Sequence, residues 1–171
     1  MPSDENLYIF GGSTSQLNGS FSTNYPDPST YSLWSYNTTD NSWDQYDVSA
    51  AVPERPSRGA YAEAADQGLG FYLGGELNAG SSTTTHGLGN QTLGLQGMTM
   101  LNLTDYTKSR NLSTSFYPDA GVVSSTLTYV PGLGDNGILV GMGGTQISAT
   151  APDISNGTMV CPLCPHEGAY D

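Results

Sequence analysis

Three apolar runs in this chain each end in a pair of glycines, and the pairs recur at a nearly constant spacing. They are Gly11–Gly12, Gly74–Gly75 and Gly143–Gly144. The second glycines of successive pairs are 63 and then 69 residues apart. Self-similarity at a fixed period is typical of a repeat array, in which each unit buries its faces against its neighbours. The sequence therefore predicts about two and a half copies of one long unit.

Turn-forming residues dominate the composition and indicate an all-β fold. The chain of 171 residues contains 22 Gly and 10 Pro, with abundant Ser, Thr and Asn, as expected of many short strands joined by turns. No stretch of ten or more residues places apolar side chains at the spacing of an amphipathic helix.

Repeat two, residues 53–118, contains the whole unit. Apolar and β-branched runs bounded by turn residues predict four antiparallel strands, and the polar insertion 76–95 separates the second strand from the third. The predicted strands cover about 59–65, 69–75, 96–102 and 108–115.

The other two repeats match parts of this template. Repeat one, residues 1–52, lacks the first strand. Repeat three, residues 119–171, has predicted strands at about 122–130 and 137–144, and its third strand is expected to begin at about residue 168. Nine or ten strands in three consecutive sheets are therefore expected, with the glycine pairs at equivalent places on the second strands.

Repeat one carries the pattern of a known family. Gly11–Gly12 follow the second strand, Tyr36 ends the third, and Trp43 begins the fourth after six intervening residues. These features resemble the kelch-repeat β-propellers, although repeat two has Leu101 and Ser109 where the Tyr and Trp would stand. The resemblance implies an incomplete propeller of about two and a half four-stranded blades. The long insertions are similar to those of extracellular, fungal-type galactose-oxidase-like proteins. A large aromatic at a strand start also predicts a buried Trp43.

The three insertions, residues 13–30, 76–95 and 145–167, follow equivalent strands and should emerge on one face. Such loops are candidate binding surfaces. Phe21 and Tyr25 could stack on a sugar or cover a groove, and His86 lies in a loop of small polar residues. The alternative is that these loops only extend the sheets and carry glycans.

Charge and glycosylation motifs indicate the setting in which the protein works. A formal net charge of −12 argues against nucleic acid and anionic membrane surfaces as partners. Six Asn-x-Ser/Thr motifs favour a secreted or cell-surface glycoprotein, although a Ser/Thr-rich protein could accumulate them without use. No signal peptide and no apolar span is apparent, so the export signal is expected outside this chain. The motifs begin at Asn18, Asn37, Asn90, Asn102, Asn111 and Asn156.

Cys161, Cys164 and His166 form one cluster of reactive residue types. A structural zinc site requires a fourth ligand, so the open alternatives are a short loop disulfide and free thiols. No metal or cofactor is expected.

The copper site of galactose oxidase uses two histidines, two tyrosines and a cysteine, and no residue of this chain can be matched to it. The resemblance therefore implies a non-catalytic binding or structural module, whose partners are a protein or glycan ligand and the remaining blades. The alternative is a fragment of a copper-radical oxidase whose ligands lie elsewhere. Uncovered sheet faces at both ends predict that the isolated chain aggregates, oligomerises or unfolds with weak cooperativity.

Overall fold

The computed structural model describes residues 5–13, 33–51, 55–81, 85–114 and 121–147, and the backbone of 152–153 and 158–162. These residues form fifteen β-strands and three single turns of 3-10 helix. The strands are arranged in five open sheets, of which three are large and two small. The all-β prediction is confirmed for this part of the chain.

The first sheet belongs to repeat one. It consists of β1 (Asn6–Phe10), β2 (Leu33–Asn37) and β3 (Ser42–Tyr46), antiparallel and in that order. The turn between β2 and β3 closes through Asn41, whose φ of 59° a short polar side chain tolerates. As predicted for repeat one, Gly11–Gly12 directly follow one strand, Tyr36 lies near the end of the next and Trp43 near the start of the last.

The central sheet belongs to repeat two and has the four strands that the sequence predicts. They are β4 (Ala60–Ala64), β5 (Leu69–Leu73), β8 (Met98–Asn102) and β9 (Arg110–Leu112), in the order β4-β5-β8-β9. A 3-10 turn and Gly68, at φ 65°, connect β4 to β5.

The third sheet corrects the prediction for repeat three. Its strands are β11 (Thr126–Val130), β12 (Ile138–Met142) and β15 (Thr158–Pro162), in that order. The third strand was expected near residue 168, but β15 lies inside the segment assigned to the insertion. Strand one is also shorter than the predicted 122–130, because Ser124 has a φ of 57° and the backbone turns there.

Two sheets of short strands include the starts of the insertions, which the sequence predicted as loops, and the second of them also contains the start of the segment predicted as the first strand of repeat three. In repeat two, β6 (Glu76–Leu77) pairs with β7 (Leu93–Gly94). In repeat three, β13 (Thr145–Ile147) pairs with both β10 (Gly121–Val123) and β14 (Pro152–Asp153). The insertions therefore begin as hydrogen-bonded structure.

The central sheet lies between the other two, and its faces alternate along each strand as strand geometry requires. One face carries Ala62, Phe71 and Met100, which pack with Leu127 and Leu139 of the third sheet. The opposite face carries Leu101, which packs with Leu33 and the tyrosines of the first sheet. Both faces are therefore covered, and four of the five residues in each of β5 and β8 are buried.

The glycine pairs join each repeat to the next one through the backbone. We call residues 55–59 and 121–125 the lead-in segments, because each precedes the first strand of its repeat. The amide of Gly12 donates to the carbonyl of Pro56, and that of Gly75 donates to the carbonyl of Val122, both at 2.8 Å. The two acceptors are 66 residues apart and occupy equivalent positions.

The first glycine of each pair allows this approach. A Cβ on Gly11 would overlap the carbonyl of Pro56, and a Cβ on Gly74 would overlap that of Val122. Both glycines also have positive φ angles, 74° and 61°. The recurrence of glycine at this position therefore follows from two requirements, a left-handed backbone and a close carbonyl.

A second contact joins the central and third sheets at the other end of the strands. Gln67 donates from its side-chain amide to the hydroxyl of Tyr129 at 2.8 Å and to the carbonyl of Asn136. Tyr129 in turn donates to the carboxylate of Asp66 at 3.0 Å. The interface is thus fixed at both ends.

The burial predicted for Trp43 is wrong. Trp43 contacts the ring of Tyr36 at a centroid distance of 4.8 Å, but 54% of its surface is exposed. It lies on the outer face of the first sheet, on the side opposite Leu33. The residue type was compatible with a core, but the position of the neighbouring sheet left this face open.

The glycine contacts predict unequal effects of one substitution. Gly74→Ala and Gly143→Ala both place a side chain at a similar positive φ, 61° and 70°, and both lose about 1–2 kcal/mol for that reason. Only Gly74 faces a carbonyl, whereas a Cβ on Gly143 meets no described atom within 4 Å. Gly74→Ala should cost about 1–3 kcal/mol more, measured by urea unfolding. Equal losses would contradict the role assigned to the Val122 carbonyl.

Candidate interaction surface

The insertion of repeat two begins as a fixed polar turn. The side chain of Asn78 accepts from the amide of Gly80 at 2.8 Å, and the hydroxyl of Ser81 accepts from the amide of Asn78 at 3.0 Å. Ser81 is fully buried. The backbone of His86 lies in the 3-10 turn His86–Leu88, which closes with a bond from Leu88 to Thr85. The base of the insertion is thus ordered by its own hydrogen bonds.

The insertions of repeats two and three lie together. Strands β6 and β7 contact β10, and β7 also contacts β13. The approach is close, because a Cβ on Gly121 would overlap the backbone of Gly94 and Leu95. We call the surface formed by residues 85–95 and β13 the insertion end. Phe21 and Tyr25, the aromatic candidates of repeat one, lie outside the described residues.

An ion pair that the sequence did not indicate holds the insertion to its lead-in segment. Both carboxylate oxygens of Glu76 accept from Nη1 of Arg58, at 3.2 and 3.1 Å. The carboxylate side chain is 4% exposed and the arginine 56%. The backbones of Ser57 and Glu76 also exchange two hydrogen bonds. A buried carboxylate requires such a partner, since burying it unpaired is costly.

Arg58 also reaches the next repeat. Its Nη2 donates to the hydroxyl of Ser124 at 3.4 Å, and its carbonyl accepts from the Ser124 amide at 2.7 Å. Both residues have positive φ, 61° and 57°, at equivalent places just before a first strand. One basic side chain in a strongly acidic protein thus contacts two repeats and one insertion.

Three tyrosines lie between the first and central sheets. Tyr46 stacks on Tyr106 with ring centroids 3.7 Å apart, and the hydroxyls of Tyr8 and Tyr106 are 3.4 Å apart. Burial, followed by the hydrogen bond to Tyr8, raises the pKa of Tyr106. The Tyr106 phenol therefore stays neutral at physiological pH, and the three tyrosines serve as packing and hydrogen-bonding groups.

The outer face of the first sheet carries exposed apolar side chains. Leu7, Ile9 and Trp43 are 57%, 43% and 54% exposed. The rings of Trp34 and Trp43 meet edge to face, at 78°. Because the two indoles are not coplanar, they do not form a flat platform for a sugar ring.

A cavity of about 90 Å³ lies between the lead-in segment of repeat two, its central sheet and the base of its insertion, with Ala51 as the contribution of repeat one. Its lining includes Pro56, Tyr72, Gly74, Leu95 and Thr99. This volume corresponds to roughly three water molecules, far below the ~300–1,000 Å³ of ordinary ligand pockets. The cavity is therefore suited to water.

The reactive residues of the sequence are not brought together in the described part of the chain. The backbone of Cys161 lies in β15, whereas Cys164 and His166 fall outside the described residues. Over the same ranges, no three His, Cys, Asp or Glu side chains converge as metal ligands.

Four glycosylation motifs fall within the described residues. Asn90 and Asn111 are exposed. Asn37 and Asn102 are half-buried in turns, where their side-chain oxygens accept from nearby amides at 2.8 and 3.1 Å. Asn18 and Asn156 lie outside the described ranges.

Sequence comparison adds no assignment. No protein-family model matches this chain, and no curated protein matches it significantly. Within the described ranges, none of the helices has the length and apolar character needed to cross a membrane.

Removing the partner of Glu76 should destabilise the fold. In Arg58→Met the carboxylate stays buried but unpaired, which we expect to cost about 1–3 kcal/mol at pH 7. Urea unfolding at pH 7 measures this loss.

Two variants control that experiment. Glu76→Gln added to Arg58→Met should recover stability at pH 7. Lys108→Met removes an exposed partner of Asp105 and should change stability by less than about 0.5 kcal/mol. A loss in Arg58→Met that Glu76→Gln does not reduce would contradict the ion-pair explanation.

The tyrosine contact predicts sensitivity to alkali. The raised pKa of Tyr106 contributes stability below its ordinary value of 10, and this stability is lost as pH rises further, because the unfolded chain ionises first. Between pH 9 and 11, Tyr106→Phe should lose less stability than wild type. Thermal unfolding at each pH measures this difference. An unchanged pH dependence in the variant would refute the assignment.

Proposed function

We propose that this chain is part of a kelch-type β-propeller and serves as a non-catalytic binding or structural module of a secreted or cell-surface glycoprotein. The observation that supports it most is the repeated backbone contact from a glycine pair to the next lead-in segment. It joins Gly12 to Pro56 and Gly75 to Val122 with equal length. Such recurrence is expected of units stacked by one rule.

The arrangement of the sheets supports the same proposal. The four antiparallel strands of the central sheet lie side by side in the same order as they follow one another along repeat two. Both faces of this sheet are covered by neighbouring sheets. First strands of successive repeats are also neighbours, since β4 and β11 contact each other. Radially stacked blades with their first strands toward the centre have this geometry.

We place ligand binding at the insertion end. Two repeats contribute to it, its base is held by the Arg58–Glu76 pair, and residues 89–93 are exposed. Loops carried on a rigid scaffold commonly form binding sites. The net charge of −12 favours a neutral or basic ligand over an acidic one.

The extracellular setting rests on the glycosylation motifs. Asn90 and Asn111 are exposed and accessible to a glycan. Asn90 borders the insertion end, so a glycan there would shape access to the proposed binding surface.

Two exposed leucines offer a matched test. Leu93 lies at the insertion end and Leu133 in the turn at the opposite end of the strands, with 49% and 52% exposure. Wild type, Leu93→Arg and Leu133→Arg would be applied to an array of neutral and basic glycans and cationic peptides.

We expect any binding by wild type to weaken at least about tenfold in Leu93→Arg, because a bulky cation placed in the contact costs 1.4 kcal/mol or more. Leu133→Arg should bind like wild type. Equal loss in both variants, or loss only in Leu133→Arg, would remove the insertion end as the binding surface. No binding to any class would refute the binding function.

A further inference from the structure

The third glycine pair has the same conformation as the other two but lacks their contact. Its φ angles of 70° and 96° match the 74° and 99° of Gly11–Gly12 and the 61° and 92° of Gly74–Gly75. Among the described residues, however, the amide of Gly144 has no hydrogen-bond acceptor, and a Cβ on Gly143 would meet nothing within 4 Å.

With respect to the described residues, only one side of this pair is open. On its own side, a Cβ on Gly144 would meet the carbonyl of Val123 at 3.0 Å, just as one on Gly75 would meet that of Ser57 at 2.8 Å. In the two complete contacts, the other side is occupied by the lead-in segment of the following repeat. The third pair therefore has the contact with its own lead-in segment but, among the described residues, not the contact with a following one.

The neighbouring sheet face is open on the same side. In the central sheet, Phe71 and Leu73 are 1% and 4% exposed, because the third sheet covers them. Counted back from the second glycine, their equivalents in the third sheet are Val140 and Met142. Val140 is half-buried and Met142 is 52% exposed. An apolar face of the kind that is covered in repeat two is thus left uncovered in repeat three by the part of the chain that the structure describes.

We propose that Gly143–Gly144 and the outer face of the third sheet dock one further repeat of the same type. This rests on the proposed propeller. The partner supplies an extended lead-in segment, with a backbone carbonyl that accepts from Gly144 and, two residues later, a residue of positive φ. Pro56 with Arg58 and Val122 with Ser124 have this arrangement. A sheet of the partner then covers Val140 and Met142.

The same geometry disfavours a second copy of this chain. The outer face of its first sheet is apolar and would suit the contact. However, that sheet starts at β1, the equivalent of β5, and has no counterpart of β4 or of a lead-in segment among its described strands. A second copy would cover the sheet face but leave Gly144 without its acceptor.

The test uses the full chain with a second copy of residues 42–118 joined after Asp171. The added segment supplies a fourth strand, a lead-in and a central sheet. It places the second Pro56 42 residues beyond Gly144, close to the 44 and 47 residues seen in the two existing contacts. Amide hydrogen exchange, followed by NMR, reports on each glycine separately.

In the unextended chain, Gly144 should exchange at least about 100-fold faster than Gly12 and Gly75, and in the extended chain it should become as protected as they are. Gly143→Asn should abolish the new protection, because asparagine tolerates positive φ but its Cβ blocks the carbonyl. Gly132→Asn, at φ 77° in equally open space, is the matched control and should leave the protection intact.

Fast exchange at Gly144 beside protected Gly12 and Gly75 in the extended chain would overturn the proposal. So would protection of Gly144 in a dimer of the unextended chain, which would make a second copy the occupant. If the extended chain does not fold, a synthetic peptide of residues 54–64 is added to the unextended chain. A shift of the Gly144 resonance that Gly143→Asn abolishes supports docking, and no shift refutes it. None of these readouts depends on ligand binding, so failure of the proposed binding function is seen separately.

Discussion

The backbone contact at the glycine pairs sets how the repeats sit on one another. Gly74 and Gly75 lie between two carbonyls, that of Val122 from the following repeat and that of Ser57 from their own. A side chain at either position would meet one of these oxygens and would also be strained by the positive φ. Because the contact uses backbone atoms, it fixes the position of the next first strand whatever side chains the repeats carry outside the glycine pairs.

The side-chain contacts between sheets fit within this backbone frame. At the opposite strand ends, Gln67 and Tyr129 join the central and third sheets, and apolar side chains fill the space between the two ends. On the other face, Tyr46 and Tyr106 stack across the interface with repeat one. Arg58 connects the frame to the insertion by neutralising a buried carboxylate. The surface proposed for binding is therefore held by the same segment that joins the repeats.

Much of the fold could be predicted from local signals. Strands such as Leu69–Leu73 are apolar runs bounded by turn residues, and the glycine pairs mark where strands leave the sheets. The small sheets could not be found this way, since Glu76–Leu77 and Leu93–Gly94 are two-residue strands paired across a polar insertion. The Arg58–Glu76 pair was missed because its partners are 18 residues apart and neither lies in a recognisable motif.

By itself, the sequence determined the all-β class, the repeat and the strands of repeats one and two, because hydrophobic period and turn chemistry act over a few residues. Only the tertiary structure decided which faces are covered. Trp43 has the residue type of a core position and is 54% exposed, whereas Glu76 has that of a surface position and is 3% exposed. Burial depends on which sheet lies opposite, and that is set by contacts between residues more than 40 positions apart, such as Gly12 with Pro56.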